Sequence, residues 1–237
     1  MPAVVRHESG RCAVSGCDMI IREERIGGQR LILGDCLQVM KEIGKVDAVV
    51  TDPPYGIGEK MQGGTWGAKG NYGKMREWDM TTNQPAFDYF TNLGVPVISW
   101  GGNYYKVPPS RCWLTWAKRD NMPTMSDFEM AWTNMDHNSK EFYHRRSNFE
   151  RQHQTGKPVP LMEWCLGFLP DAQTILDPFM GSGTTLVGCQ RLGRSGTGIE
   201  LDPDYFDIAC RRVDEATRQP DLFVAPPTQA TKQEPMI

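Results

Sequence analysis

Apolar residues recur along this chain in short blocks separated by Gly, Pro and Asp. The spacing inside each block predicts its conformation. Apolar runs at residues 31–33, 46–51, 95–100 and 174–176 read as buried strands. Strand-like segments recur at 112–118, 128–133 and 140–144, and another at 196–199 ends at Glu200. Helical spacing appears near 37–43, at 85–93, 158–169, 186–192 and 203–215, with Pro158 in the first turn of the third. Strands alternating with helices predict an α/β domain with a mostly parallel sheet between helical layers. Residues 1–28 read as a polar leader, 29–219 as one domain, and 220–237, with Pro226, Pro227 and Pro235, as a flexible tail. Inside the domain, about 56–84 is a Gly-rich flap carrying Lys60, Lys69, Lys74 and Arg76. A loop of that length is expected to be functional.

Composition narrows the setting. A chain of 237 residues can bury a sizeable core in one domain. No apolar run approaches the roughly 20 residues that span a bilayer, and no signal-peptide pattern opens the chain. No membrane role and a cytoplasmic location are therefore expected. Seven scattered cysteines fit reduced thiols better than a disulfide framework. Cys12 and Cys17 form a close pair with His7 nearby, but no second pair completes a zinc set, so no metal is expected. Net charge is −3, yet residues 104–157 hold nine basic against six acidic residues, a local +3. His137, His144 and His153 fall in the same stretch. Phosphate contacts need local cations rather than a basic average, so 104–153 is the candidate target-recognition region.

The chemistry concentrates in two motifs. Asp52-Pro53-Pro54-Tyr55 ends the strand predicted at 46–51. Open α/β sheets place ligands at the carboxyl ends of strands. Prolines fix φ and cannot donate, so their carbonyls are left as acceptors on a stiff turn. A carboxylate, two carbonyls and an aromatic ring make a small pocket for a planar group bearing an amine, such as a nucleobase. The second motif, Asp177-Pro178-Phe179-Met180-Gly181-Ser182-Gly183-Thr184-Thr185, lies between a strand and a helix. Gly181 and Gly183 permit a sharp turn and close approach of a ligand to the backbone. The helix start beyond offers unpaired N–H groups. Glu200 follows Gly181 by 19 residues and ends the next strand, where a carboxylate can accept from both hydroxyls of a ribose.

Asp-Pro-Pro-Tyr combined with a separate Asp-Pro-Phe-x-Gly-Ser-Gly-Thr-Thr resembles the DNA amino-methyltransferases, which methylate the exocyclic amine of adenine or cytosine. The likeness runs from about Leu31 to Arg212. It implies a Rossmann-like S-adenosylmethionine-dependent methyltransferase fold. The catalytic motif precedes the cofactor motif, similar to the permuted β-type order. Gly101-Gly102-Asn103-Tyr104-Tyr105, residues 113–118 and residues 129–133 look like a compact bacteriophage and prophage branch. Gly34-Asp35 resembles the family's contact to the adenine ring of the cofactor, and residues 153–158 its helix start beside the methionine carboxylate. By resemblance, Asp52, Pro53, Pro54 and Tyr55 are catalytic. Asp35, Thr155, Lys157, Asp177, Phe179, Gly181, Ser182, Gly183, Thr184 and Glu200 bind S-adenosylmethionine. Tyr55 is expected to stack on a flipped base while Asp52 and the Pro53 carbonyl accept its amino hydrogens.

The sequence departs from the family pattern at Gln154, Gly156 and Ala117. The first two bear on cofactor binding, and the third on what reads as a surface pair. Asp52 favours adenine N6 over cytosine N4, where Ser is commoner. Cytosine N4 is the nearest alternative, and an idle DNA-binding relative the next. RNA or protein amide methylation is disfavoured because related motifs there usually begin with Asn. The expected partner is DNA, bound by a monomer or homodimer, with a restriction partner neither required nor excluded. Arg119, Asn121, Arg145, Arg146 and Asn148 are candidates to read base edges.

Overall fold

In the computed structural model, which describes residues 20–57, 79–118, 126–145 and 156–218, the apolar blocks become strands of a nine-stranded sheet. The strands are β1 (Ile20–Ile26), β2 (Gln29–Gly34), β3 (Ala48–Thr51), β4 (Val97–Trp100), β5 (Trp113–Ala117), β6 (Phe128–Thr133), β7 (Lys140–Tyr143), β8 (Thr174–Asp177) and β9 (Ser195–Glu200). The helices are α1 (Cys36–Val39), α2 (Gln84–Thr91), α3 (Val159–Gly167), α4 (Thr184–Arg191) and α5 (Pro203–Arg218). The sheet order is β1-β2-β9-β8-β3-β4-β6-β5-β7. Its centre, β2-β9-β8-β3-β4, is entirely parallel. Antiparallel pairings of β1 with β2, and of β6 with β4 and β5, flank it.

Alternation along the central strands assigns each face. Ala48, Val50, Ile98 and Trp100 point to one side and pack with Leu161, Met162, Cys165 and Leu166 of α3. Val49, Val97, Leu176 and Ile199 point to the other, against Val39, Phe87 and Phe90. Near the β2 end, Leu31 and Leu33 meet Phe206, Ala209 and Val213 of α5. A strand covered on both faces must be apolar throughout, which is why these runs lack polar alternation.

The sheet begins earlier than the sequence reading placed it. Residues 20–26, assigned to the polar leader, form the edge strand β1, joined to β2 by a hairpin through Gly27 and Gly28 with Gly27 at φ 58°. Its Arg22-Glu23-Glu24-Arg25 core is charged because an edge strand faces water, and this masks the strand pattern. The helix expected near 37–43 is shorter, ending at Val39. Ala117, read as part of a surface pair, is instead buried in β5 between Phe128 and Tyr143 of the flanking strands. Outside the described residues lie His7, Cys12, Cys17, Arg119, Asn121, Arg146, Asn148, His153, Gln154, Thr155, the tail and the flap from 58 to 78.

Close packing beneath the second motif is testable. A Cβ built on Gly198 of β9 falls 2.5 Å from Met180 Sδ and 2.9 Å from Leu186 Cδ1. Gly198→Ala is expected to destabilise the protein by about 1–3 kcal/mol through overpacking, measured by chemical denaturation. An unchanged midpoint would show that Met180 and Leu186 yield freely.

Candidate active site

The parallel centre aligns the carboxyl ends of five strands. Asp35 follows β2, Glu200 ends β9, Asp177 ends β8, Asp52 follows β3 and Gly101 follows β4. From β3 the chain moves on to its neighbour β4, whereas from β8 it moves to β9 on the opposite side. The boundary between β3 and β8 is therefore a topological switch point, the crevice where open α/β sheets bind ligands. The two motifs stand on its two sides. They are stitched together by the Thr51 hydroxyl, which donates to Asp177 Oδ1 at 2.7 Å.

Local contacts fix the Asp52–Tyr55 turn. The backbone N–H groups of Tyr55 and Gly56 donate to the Asp79 carboxylate, at 2.8 Å for Gly56. Tyr55 also bridges to Thr82. The Tyr105 hydroxyl donates to the Pro54 carbonyl at 2.6 Å, so one of the two proline acceptors is spent inside the protein. The Tyr55 ring lies against Gly101, where a built Cβ would come within 2.0 Å of Cε1. Gly101 has φ 68°, so that position tolerates neither a side chain's volume nor its preferred backbone. Tyr104 stacks on Tyr55 at 4.9 Å between centroids and 14° between planes.

Both oxygens of Asp52 are engaged. Oδ1 accepts from the Tyr55 hydroxyl at 2.6 Å, and Oδ2 from Lys157 Nζ at 2.7 Å. Lys157 also donates to the Tyr55 hydroxyl at 2.8 Å and pairs with Glu129 at 2.9 Å. Glu129 pairs in turn with Lys118. Two cations and two carboxylates thus alternate across the site. Burial alone would raise the Glu129 carboxyl, but the Lys157 and Lys118 ammoniums outweigh it and hold it down at about 2. Burial disfavours the Lys157 cation, yet Asp52 and Glu129 reverse this and raise its pKa. Burial, followed by the Asp52 and Glu129 charges, drives the Tyr55 phenol well above its ordinary value, so it is a donor and not a base.

The Gly-rich turn is built as its sequence implies. Gly181 and Gly183 have φ 51° and 79°, and Gly183 caps α4. A Cβ on Gly183 would meet Ala209 Cβ at 3.0 Å, whereas one on Gly181 meets no atom within 4 Å. The backbone at Gly181 is thus open to a ligand, and at Gly183 it is packed on α5. Glu200 accepts from the N–H groups of Gly181, Leu201 and Asp202. Burial nonetheless lifts its carboxyl to about 7. Asp177 is 2% exposed, and burial lifts it to about 6 against the opposing bonds from Thr51 and Phe179 N–H.

The structure brings Asp52, Tyr55, Lys157 and Asp177 together and sets Gly181 and Glu200 beside them. Asp35 caps α1 by accepting from Gln38 N–H at 3.0 Å, at the end of the strand next to that of Glu200. Phe179 is partly buried against the α1–α2 side of the core. Ser182 and Thr184 are turned toward α5, where Arg212 donates to both hydroxyls. Lys157, expected at a cofactor carboxylate, rests on Asp52. Sequence reasoning missed Lys118, Glu129, Asp79 and Arg212 as parts of the site. Glu129 within β6 and Lys118 after β5 carry no signal in the sequence beyond being polar at the margins of strand-like runs.

A family model described as DNA methylase, of the N6/N4 class, matches residues 108–211. Over that stretch the chain resembles the N6/N4 DNA methylases. Type II methyltransferase M.HpaI of Haemophilus parainfluenzae is 26% identical over 78% of this chain and 74% of its own length. Type II methyltransferase M2.DpnII of Streptococcus pneumoniae is 44% identical over 64 residues, 27% of this chain and 24% of its own length. Among solved structures, M1.HpyAVI in complex with SAM aligns at a TM-score of 0.52 and 22% identity, covering 78% of this chain and 99% of that one. The cytosine-N4-specific PvuII DNA methyltransferase aligns at 0.51 and 13% identity, over 81% and 91% of the two chains. At such identities the structural likeness speaks for the fold alone.

The buried Asp177 gives a pH signature. Its folded pKa of about 6 lies above the ordinary 3.8, so the stabilising protonation is complete below about 4 and lost as pH rises through 6. Asp177→Asn keeps an acceptor for Thr51 and Phe179 but carries no charge. It is expected to raise stability by about 1–3 kcal/mol at pH 8, a gain that shrinks toward pH 4. Thermal melts across that range test this, and a pH-independent difference would reject it.

Proposed function

We propose that this chain transfers a methyl group from S-adenosylmethionine to the N6 amine of adenine in DNA. The observation that carries the reading is the Asp52–Tyr55 turn at the switch point, with its carboxylate fixed from both sides beside the Gly-rich turn. The donor set fits the cofactor: Gly181 offers open backbone, Glu200 a carboxylate in place for ribose hydroxyls, and Asp35 a further carboxylate one strand away. Phe179, Asp177 and Gly183 shape the same end. When bound, S-adenosylmethionine supplies a methyl carried on a sulfonium.

The chain's own residues do the rest. A base amine is a weak nucleophile because its lone pair is delocalised into the ring. The target base must leave the duplex, at about a few kcal/mol. Stacking on Tyr55 requires the base to take the place of Tyr104 on that ring, and a base–aromatic stack is worth about 1–3 kcal/mol. Asp52, with lone pairs beyond those used by Tyr55 and Lys157, and the Pro53 carbonyl accept the two amino hydrogens. This draws the nitrogen toward tetrahedral geometry and aims its lone pair, the kind of positioning that supplies much of a rate enhancement. Asp52 then stabilises the cationic amine until a proton leaves. Asp at position 52, where Ser is commoner in cytosine-N4 enzymes, supports adenine.

The direct experiment incubates the protein with labelled S-adenosylmethionine and unmethylated DNA, then resolves the digested nucleosides by mass. Label on adenine N6 is expected. Label on cytosine N4 would keep the mechanism and move the base, and no label on DNA would reject the reading. Asp52→Ala is expected to abolish transfer while leaving cofactor binding in place, and retained turnover would sink the acceptor role. Cofactor affinity is expected to rise several-fold from pH 6 to pH 8 as Glu200, at about 7, ionises and becomes a full acceptor. A flat calorimetric profile would remove Glu200 from the site.

A further inference from the structure

The chain of charges extends beyond any group the transfer itself uses. Lys118 directly follows β5, Glu129 lies on β6, Lys157 precedes α3 and Asp52 follows β3. The Lys118 and Lys157 side chains are 5% and 4% exposed, and the two carboxylates 24% and 25%. Burying an ammonium is costly unless it is paired, and a buried pair is weak evidence for stability because an apolar pair is often as good. Two such lysines need a reason other than stability. Lys157 supplies it: its Nζ is divided between Asp52 Oδ2 at 2.7 Å and Glu129 Oε2 at 2.9 Å. An ammonium bound to Asp52 alone would take much of the acceptor capacity that the amino hydrogens of a base require. Glu129 competes for that ammonium. Lys118 sits on the far side of Glu129, where it keeps the second carboxylate ionised and in place.

We infer that Glu129 is a positioning residue for methyl transfer: by sharing Lys157 with Asp52 it leaves the Asp52 carboxylate able to accept from the target amine. The inference rests on the proposed methyltransferase reading. It assigns Lys157 a duty at the catalytic carboxylate and gives Glu129 a function without any contact to substrate. It also makes the two ends of the charge chain unequal. Removing Glu129 returns Lys157 wholly to Asp52. Removing Lys118 leaves the Glu129–Lys157 contact and takes away only the group that holds Glu129 in place.

The test compares Glu129→Gln with Lys118→Met under single-turnover conditions, alongside calorimetric affinity for S-adenosylmethionine and thermal melts. Glu129→Gln is expected to slow transfer about ten- to a hundredfold with cofactor affinity unchanged. Lys118→Met, which leaves the Glu129–Lys157 contact itself in place, is expected to slow transfer less than Glu129→Gln does, although it too breaks a buried pair and lowers the melting temperature. Equal losses of rate in both variants, tracking their melting temperatures, would mark a structural clamp and overturn the inference. So would a loss confined to cofactor affinity. A second readout needs no DNA. In protein carrying isotope-labelled lysine, the Lys157 ammonium resonance is expected to move in Glu129→Gln and to keep its protection from solvent, still held by Asp52. An unmoved resonance refutes the sharing. If wild-type protein labels no nucleic acid, the methyltransferase reading fails, and this resonance alone decides whether Glu129 shares Lys157.

Discussion

A lysine ammonium with almost no access to water is the constraint from which the rest of the site follows. Lys157 must be surrounded by acceptors, and the fold supplies three from two separate places: Asp52 and Tyr55 on the turn after β3, and Glu129 from β6. Each partner is thereby fixed in turn. Tyr55 cannot rotate without losing a bond to Asp52 and its seat on Gly101, and Asp52 cannot rotate without giving up its bonds to both Tyr55 and Lys157. Removing one partner from a buried pair costs about 3–5 kcal/mol. The geometry of the Asp52–Tyr55 turn is thus enforced by the pairing demands of a buried cation and not by the turn's own stiffness alone.

The parallel centre of the sheet determines which groups can meet there. Residues far apart in sequence, such as Thr51 and Asp177, become neighbours because β3 and β8 are hydrogen-bonded side by side. The Gly-rich turn and the Asp-Pro-Pro-Tyr turn then face one crevice. Raised carboxyls at Asp177 and Glu200 and a lowered one at Glu129 follow from where each side chain lies relative to the core and to the two lysines. One small region therefore contains carboxylates tuned in opposite directions.

Much of this was readable in the chain. The central strands announced themselves because a strand buried on both faces has no choice but to be apolar. The two motifs stood out because Gly and Pro mark backbone that must take unusual conformations, as Gly101, Gly181 and Gly183 do. What stayed hidden had no local signature. The strand at residues 20–26 is disguised by the charges an edge requires. Glu129 and Lys118 look like ordinary polar residues beside strands, and only the pairing of β5 with β6 brings them together. The Pro54 carbonyl was read as open to a ligand, but a tyrosine more than fifty residues away occupies it. Pairings of that kind belong to the tertiary structure and leave no trace in spacing.

The Asp79 carboxylate has a meaning for how such a protein changes over time. It binds the N–H groups of Tyr55 and Gly56, so the two ends of the intervening stretch are tied together at one point. Lengthening a stretch whose ends are already tied costs only a logarithmic increment of entropy. Insertions, deletions or wholesale replacement between Ile57 and Asp79 therefore place little load on the turn that holds Asp52. The arrangement uncouples the position of the Asp52 carboxylate from the length of chain threaded between the two tied ends.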